Sequence, residues 1–500
     1  MRPTAVSILT LVLTSLAWAA PTAGDTGFTR LFQNKTMRVD LFHTGSHGEQ
    51  IISLDRVVSD GPWAGSRTQL LDPTNLGPFF FEVIDPRTNQ AIYSRGFASI
   101  YGEWKTTAEA RQRARTFHES LRFPWPRSTV QVVLKERGPD QAFHEIWSTT
   151  VDPASRFVNP ADLPASGTVW PLLENGPPAD KVDIVLLGEG YTARQLPKFH
   201  ADARRLMASL FEHEPFKSRK GDFNVRAIDL PAPRPGVNRP QVGEFRRNPV
   251  STQYNIFDSE RYLLTLDNRR LRDVLSAVPY EFVSILVNEK QYGGGGIFNF
   301  QATTAVDTAF ASYVFVHEFG HHFAALADEY YTSPVAYETG GEKHPEPWEP
   351  NITGLDDPAH LKWGDLVPRG TPIPTPWDKE RYEVHARQVQ DRRQKLIEAH
   401  APEAEFDALF REQQAVETPM LASMTYSGRV GAFEGASYQA RGLYRPSTDC
   451  IMFTRDQVGF CPVCRRAIER IIDLYAGRPD RERRPPPPPA APGGGSPAGS

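Results

Sequence analysis

The apolar run Val314-Phe-Val-His317-Glu318-Phe-Gly-His321-His322-Phe-Ala-Ala-Leu-Ala-Asp328-Glu329-Tyr-Tyr331 holds two histidines four residues apart. That spacing is chemically useful only on a helix, where positions i and i+4 lie one above the other on a single face. Both imidazoles then reach one Zn²⁺. Glu318 is placed to take a proton from a water on the metal, whose pKa zinc lowers towards about 7. With 13 histidines and 60 acidic residues in 500 positions, chance supplies about 0.04 patterns of this kind. The spacing is therefore read as chemistry. His322 points away from the paired face and reads as a packing or surface residue.

A catalytic zinc needs a third protein ligand. Asp328 follows His317 by eleven residues, which in an unbroken helix would carry it about 16 Å along the axis. It can ligate only if the helix breaks soon after His321. Ala324 and Ala325 are small enough for a close turn, although neither is the glycine usually found there. Asp328 ranks first, Glu329 is the neighbouring alternative, and Glu338 or Glu342 would serve if the ligand came from a later segment.

The rest of the chain places this helix inside a larger protein. Arg2, the apolar stretch 5–16 and Ala17-Trp18-Ala19 read as a secretory signal peptide over residues 1–19, predicting a secreted or periplasmic location. Residues 26–158 hold β-branched and aromatic runs separated by turn clusters, among them Thr36–Phe42, Phe79–Ile84 and Ser128–Leu134. They predict a mostly antiparallel β-sandwich, with one helical piece over Thr107–Arg115. Residues 159–178, rich in Pro, Ala and Gly, read as a linker. From 179 to 477, strands such as Val182–Leu187 and Phe282–Asn288 alternate with helical stretches, predicting an α/β catalytic domain. The charged stretch 378–417 reads as exposed helices inserted into it. Residues 478–500 read as a Pro/Gly-rich disordered tail.

Composition narrows the classes. A net charge of −4, from 56 basic and 60 acidic residues, gives no electrostatic footprint for nucleic acid. After signal cleavage no stretch is apolar for long enough to span a bilayer. Three cysteines exclude a disulfide-dense scaffold and a four-cysteine zinc module. In an exported protein a bridge from Cys450 to Cys461 or Cys464 is permissible. The patterns Asn34-Lys-Thr36 and Asn351-Ile-Thr353 are glycosylation acceptors in form. Tyr292-Gly-Gly-Gly-Gly-Ile-Phe-Asn-Phe300 reads either as a flexible loop or as an edge strand able to pair with an extended peptide. Tyr330, Tyr331, Tyr438 and Tyr444 are candidates to hydrogen-bond an oxyanion.

Several motifs recur in order: Ile184–Thr192, His317–His321, Leu326–Tyr331, Gly431–Ala436, Gly442–Pro446, Asp449–Met452 and Phe460–Cys464. Together they make the chain resemble the M64 family of secreted metallopeptidases, whose best-known member is an IgA-cleaving endopeptidase. The resemblance spans roughly 180–476, and the preceding β region is similar to the family's N-terminal domain. It implies a metzincin-like zinc peptidase fold, and a methionine turn at Met452, or failing that Met424, beneath the zinc. The expectation is a secreted zinc endopeptidase acting on protein or peptide, with His317, His321 and Asp328 on the metal and Glu318 as general base. The rivals are a zinc hydrolase of a non-peptide amide or ester, and a secreted binding protein with a residual metal site. Oligomeric state is left open.

Overall fold

A computed structural model describes residues 23–333, 346–456 and 458–477. The predicted signal segment 1–19, Glu338, Glu342 and the tail 478–500 lie outside the described residues.

After helix α1 (Ala23–Leu31), the N-terminal region is β-rich. Its strands are β1 (Phe32–Gly45), β2 (Gln50–Ser59), β3 (Phe79–Asp85), β4 (Gln90–Phe97), β5 (Arg115–Pro126), β6 (Val130–Arg137), β7 (Phe143–Val151) and β8 (Val158–Asn159). They form two four-stranded sheets, ordered β5-β1-β2-β8 and β4-β3-β6-β7. Strand β3 shows why they pack face to face. Phe79, Phe81, Val83 and Asp85 are buried while the residues between them are half-buried, the period-2 signature of a strand with one face on a core. Val39 and Leu41 of β1 and Leu121 and Phe123 of β5 meet that face. The helical piece expected at Thr107–Arg115 is a single 3₁₀ turn, Glu109–Arg111, and an α-helix precedes it. Helix α2 spans Ile100–Trp104, capped by the Ser99 side chain, and Arg115 already begins β5.

The second half is built on a six-stranded sheet. Its strands are β9 (Thr168–Leu173), β10 (Val182–Glu189), β11 (Phe223–Asp229), β14 (Phe282–Val287), β15 (Gly294–Ile297) and β16 (Gln301–Ala305), with a short pair β12 (Thr252–Gln253) and β13 (Leu264–Thr265) beside it. The order is β15-β16-β14-β10-β11-β9. The four inner strands are parallel, and both edge strands run antiparallel to their neighbours. All eight residues of β10 are buried, as a parallel strand covered on both faces requires. Ile184 and Leu186 face a core shared with helices α3 (Leu196–Leu210) and α5 (Ala311–Ala324), whereas Val185 and Leu187 face one shared with α4 (Asn268–Leu275).

Residues 159–178 are not simply a linker: β9 falls inside them and pairs with β11, Val169 opposite Ile228. The Pro-, Ala- and Gly-rich composition hid the apolar Val169, Trp170, Leu172 and Leu173. The charged stretch folds as helices α6 (Lys379–Glu398) and α7 (Glu403–Ala422). They are antiparallel, since His385 meets Glu417 while Arg392 meets Glu412. The pair is not wholly solvated, because Tyr382, Ala386, Phe406 and Phe410 are buried. A hairpin of β17 (Phe433–Ala436) and β18 (Gln439–Arg445) and a last helix α8 (Pro462–Tyr475) complete the fold. Among the described residues no helix is long and apolar enough to cross a membrane.

The two halves share one interior. Ile297, Phe298, Phe300 and Ala325 belong to the same apolar cluster as Phe79, Phe81 and Phe97. Arg38, fully buried, bonds Asp40 and Asp60 within the N-terminal region and Asp273 across the boundary, the last at 2.5 Å. Arg122 donates to Asp60 at 2.7 Å and to the Tyr280 carbonyl at 3.1 Å. Removing one partner from a buried ionic set of this kind costs about 3–5 kcal/mol. The intact chain is therefore expected to unfold in a single calorimetric transition. Two separated transitions would show that the halves melt independently.

Candidate metal centre and cleft

Helix α5 runs from Ala311 to Ala324 and stops where the site requires. Ala325 takes the left-handed conformation, φ 57°, and its N–H closes on the His321 carbonyl at 3.1 Å. The chain turns back at once. Asn351 then pins the returning segment: its side chain accepts from the Ala327 N–H at 2.8 Å and donates to the Ala327 carbonyl at 2.9 Å. This sets Asp328 over the paired face of α5. Its Oδ1 lies 3.0 Å from His317 Nε2 and 3.2 Å from His321 Nε2, and the two Nε2 atoms are 3.1 Å apart.

The other imidazole nitrogens fix the tautomers. His317 Nδ1 faces the Ile451 carbonyl at 2.9 Å and His321 Nδ1 faces that of Leu326. A carbonyl can only accept, so each Nδ1 carries the hydrogen and each Nε2 presents a lone pair to the centre. A tetrahedral cation with ligand bonds of about 2.0–2.1 Å has ligand edges of about 3.3 Å, close to the three separations found. The donor set of two imidazoles and a carboxylate suits zinc. Against the cost of burial, His321 and His317 with Nε2 protonated instead hold the Asp328 carboxyl well below its usual range, the part a cation would take between bare Nε2 atoms.

Around this centre lies a cavity of about 660 Å³ with walls from three parts of the chain. One wall is β15, the edge of the sheet. Its glycines are a packing requirement: a Cβ on Gly296 would sit 2.3 Å from the Glu318 carbonyl oxygen, and one on Gly294 2.6 Å from Val314. The strand is not open along its length. Gly294 is engaged by Leu263 and Arg261, and the Phe298 carbonyl by Ala98, leaving Gly296 facing the cleft between them. The second wall is the N-terminal region, through Ser99, Gly102 and Glu103. The third is the α6–α7 hairpin, through Gln390, Arg393 and Gln414.

The tip of the β17–β18 hairpin supplies Tyr438. Its hydroxyl donates to Asp328 Oδ2 and lies 3.3 Å from the Tyr330 hydroxyl. Ser437 and Tyr438 both have positive φ, 47° and 64°. That conformation costs a residue with a side chain about 1–2 kcal/mol. Hydrogen bonds from Ser437 N to the Asp328 carbonyl and from Tyr438 N to that of Tyr330 hold it in place.

A family model for the IgA peptidase M64 matches residues 170–472, more than half of the chain, and one for the M64 N-terminal region matches 27–148. The chain belongs to the M64 peptidase family. No curated protein matches it. In this M64 peptidase the structure brings His317, Glu318, His321 and Asp328 together at one cavity. Glu329 points the other way, into the core, and is fully buried. Of the tyrosines, Tyr330 and Tyr438 line the cavity. Tyr331 packs against Phe453 and Tyr382, and Tyr444 sits opposite Glu434 in the β17–β18 hairpin. Met452 is buried with its sulfur 3.0 Å from where a Cβ on Gly320 would stand, between the two histidines; Met424 is half-buried beyond α7. Asn351 is fully buried, so of the two glycosylation patterns only Asn34 is exposed.

His322 is a packing residue. Its Nδ1 donates to the Ile297 carbonyl at 2.9 Å, and its Nε2 accepts from the Val283 N–H at 3.1 Å. Burial drives its pKa down to about 3, which keeps it neutral. His322→Leu strands the Val283 N–H and is expected to lower the unfolding free energy by about 1–3 kcal/mol. Zinc content should stay the same, and a loss of metal would mean that His322 belongs to the centre.

Sequence reasoning missed Asn351, and it named Tyr438 only as one of four tyrosines without the contact to Asp328 that singles it out. Asn351 was singled out only as a glycosylation-acceptor pattern, which carries no sign of its buried bonds to Ala327. The hairpin pairing that delivers Tyr438 had no turn signature, because Ser-Tyr is not among the usual two-residue turns.

Proposed function

We propose that this M64 peptidase is a secreted zinc endopeptidase with a metzincin-like catalytic domain, to which the α6–α7 hairpin is an addition that narrows the cleft. The observation that carries this reading is the convergence of His317 Nε2, His321 Nε2 and Asp328 Oδ1 within 3.2 Å of one another, with Glu318 on the same cavity. Zinc held there would polarise the scissile carbonyl and lower the pKa of a water towards about 7.

Glu318 accepts the proton of the attacking water and returns it to the leaving amine. Burial raises its carboxyl pKa, the two histidines oppose that shift, and Asp328 adds to it; the net upward direction suits a group that must both take and give a proton. Tyr438 restrains Asp328 and presents a hydroxyl near the reacting carbonyl. Gly296 offers its backbone to an extended substrate, with room for only a short pairing because the strand is engaged on either side. Met452 supports the histidines from below without ligating. Export rests on the first nineteen residues.

Digestion of a peptide library with mass-spectrometric readout tests the reading, alongside elemental analysis. Cleavage of internal peptide bonds is expected from the wild type and not from His317→Ala/His321→Ala, which should also bind one zinc fewer. Hydrolysis confined to esters or non-peptide amides would overturn the peptidase, and an inactive, metal-free protein would overturn the enzyme.

A further inference from the structure

The three cysteines are free and buried, although they come from separate places in the sequence. Cys450 precedes the methionine segment, while Cys461 and Cys464 open α8. Their sulfurs and a Glu329 carboxylate oxygen form a second group whose ligand atoms all lie within 4.8 Å of one another. Cys450 Sγ and Cys464 Sγ are 3.9 Å apart, and Cys464 Sγ is 3.3 Å from Glu329 Oε1. A disulfide needs about 2.05 Å between sulfurs. A tetrahedral zinc with bonds of about 2.3 Å to sulfur and about 2.0 Å to oxygen has edges of about 3.8 Å between sulfurs and about 3.5 Å from sulfur to oxygen. The two separations found are close to those of a cation site and far from that of a disulfide.

We propose that Cys450, Cys461, Cys464 and Glu329 bind a second, structural zinc directly behind the catalytic centre.

Independent features support it. Glu329 is fully buried, and its Oε2 has no hydrogen-bond partner. A buried carboxyl oxygen without a partner is costly, and a cation chelated by both oxygens of Glu329, Oε1 being the one beside Cys464 Sγ, would satisfy it. The Cys461 N–H donates to Cys450 Sγ at 3.3 Å. Cys461 is the N-cap of α8, where the positive end of the helix favours thiolate over thiol, and Cys464 lies in the first turn. Zinc takes thiolate and carboxylate ligands together, and structural sites fill all four positions with protein. Binding releases the protons of whichever ligands are still protonated, with no change of oxidation state.

The placement gives the site a task. Glu329 follows Asp328, and its N–H bonds the Met452 carbonyl at 2.8 Å; Ile451, next to Cys450, supplies the acceptor for His317 Nδ1. One cation would lock the segment bearing the third catalytic ligand to the segment that orients the first histidine. The inference concerns a different ion from the proposed catalytic one and stands or falls separately.

Elemental analysis and native mass spectrometry of the purified full chain are expected to find about two zinc ions, falling to one in His317→Ala/His321→Ala. Cobalt exchanged into that variant should give a sulfur-to-metal charge-transfer band, which the catalytic centre, having no thiolate, cannot produce. Cys461→Ser/Cys464→Ser should lose the band. If that variant fails to fold, thiol titration of the wild type decides: three thiols protected until a chelator is added support the site. A wild-type protein two hydrogens lighter with a Cys450–Cys464 bridge overturns it. So does a histidine variant that retains no metal and gives no band.

Discussion

Glu318→Ala is expected to reduce turnover of a cleaved peptide by about 10³-fold while zinc content and thermal stability stay at wild-type values. The carboxylate lines the cavity but is not among the three groups that converge within 3.2 Å, so it acts on water and on the leaving amine and not on retention of the metal. Steady-state kinetics on one defined substrate, with elemental analysis of the same preparation, separates the two roles. Near-normal turnover would place the general base elsewhere, and loss of zinc with loss of activity would make Glu318 a ligand.

The second large effect concerns Asp328. Asp328→Ala is expected to weaken zinc by at least about 10²-fold, as His321→Ala does, because the cation loses one of three protein ligands and the Tyr438 hydroxyl loses its acceptor. Dialysis against a graded chelator, followed by metal analysis, reads the loss. Glu329→Ala should keep zinc at the catalytic centre, since its carboxylate faces the cysteines, even where hydrolysis falls with the loss of the support behind Asp328. An active, zinc-retaining Asp328→Ala beside a Glu329→Ala that loses the catalytic zinc would exchange the two assignments.

The paired histidines were legible because helical spacing is a local property and the residue types are scarce. Asp328 was legible only conditionally, as its placement depended on a left-handed alanine that no rule of composition selects. The fully apolar β10 announced a central strand by itself, whereas β9 was masked by the Pro and Ala around it and is held by pairing with β11, a partner about 60 residues distant. The same limit hid the cysteine–glutamate group. Counting cysteines excluded a four-sulfur site, but no periodicity tells that a glutamate 121 residues before Cys450 completes the set.

The ionic and aromatic seam between the halves bears on how such a protein can be inherited. Family similarity divides the chain into two stretches, 27–148 and 170–472, as though each could be passed on alone. A gene fragment encoding only the second would leave Phe298 and Phe300 bare, strip Asp273 of Arg38, and remove one side of the cleft. Parting the stretches would therefore bare an apolar face and remove a wall of the cleft at once, so that folding and catalysis both favour their staying on one chain.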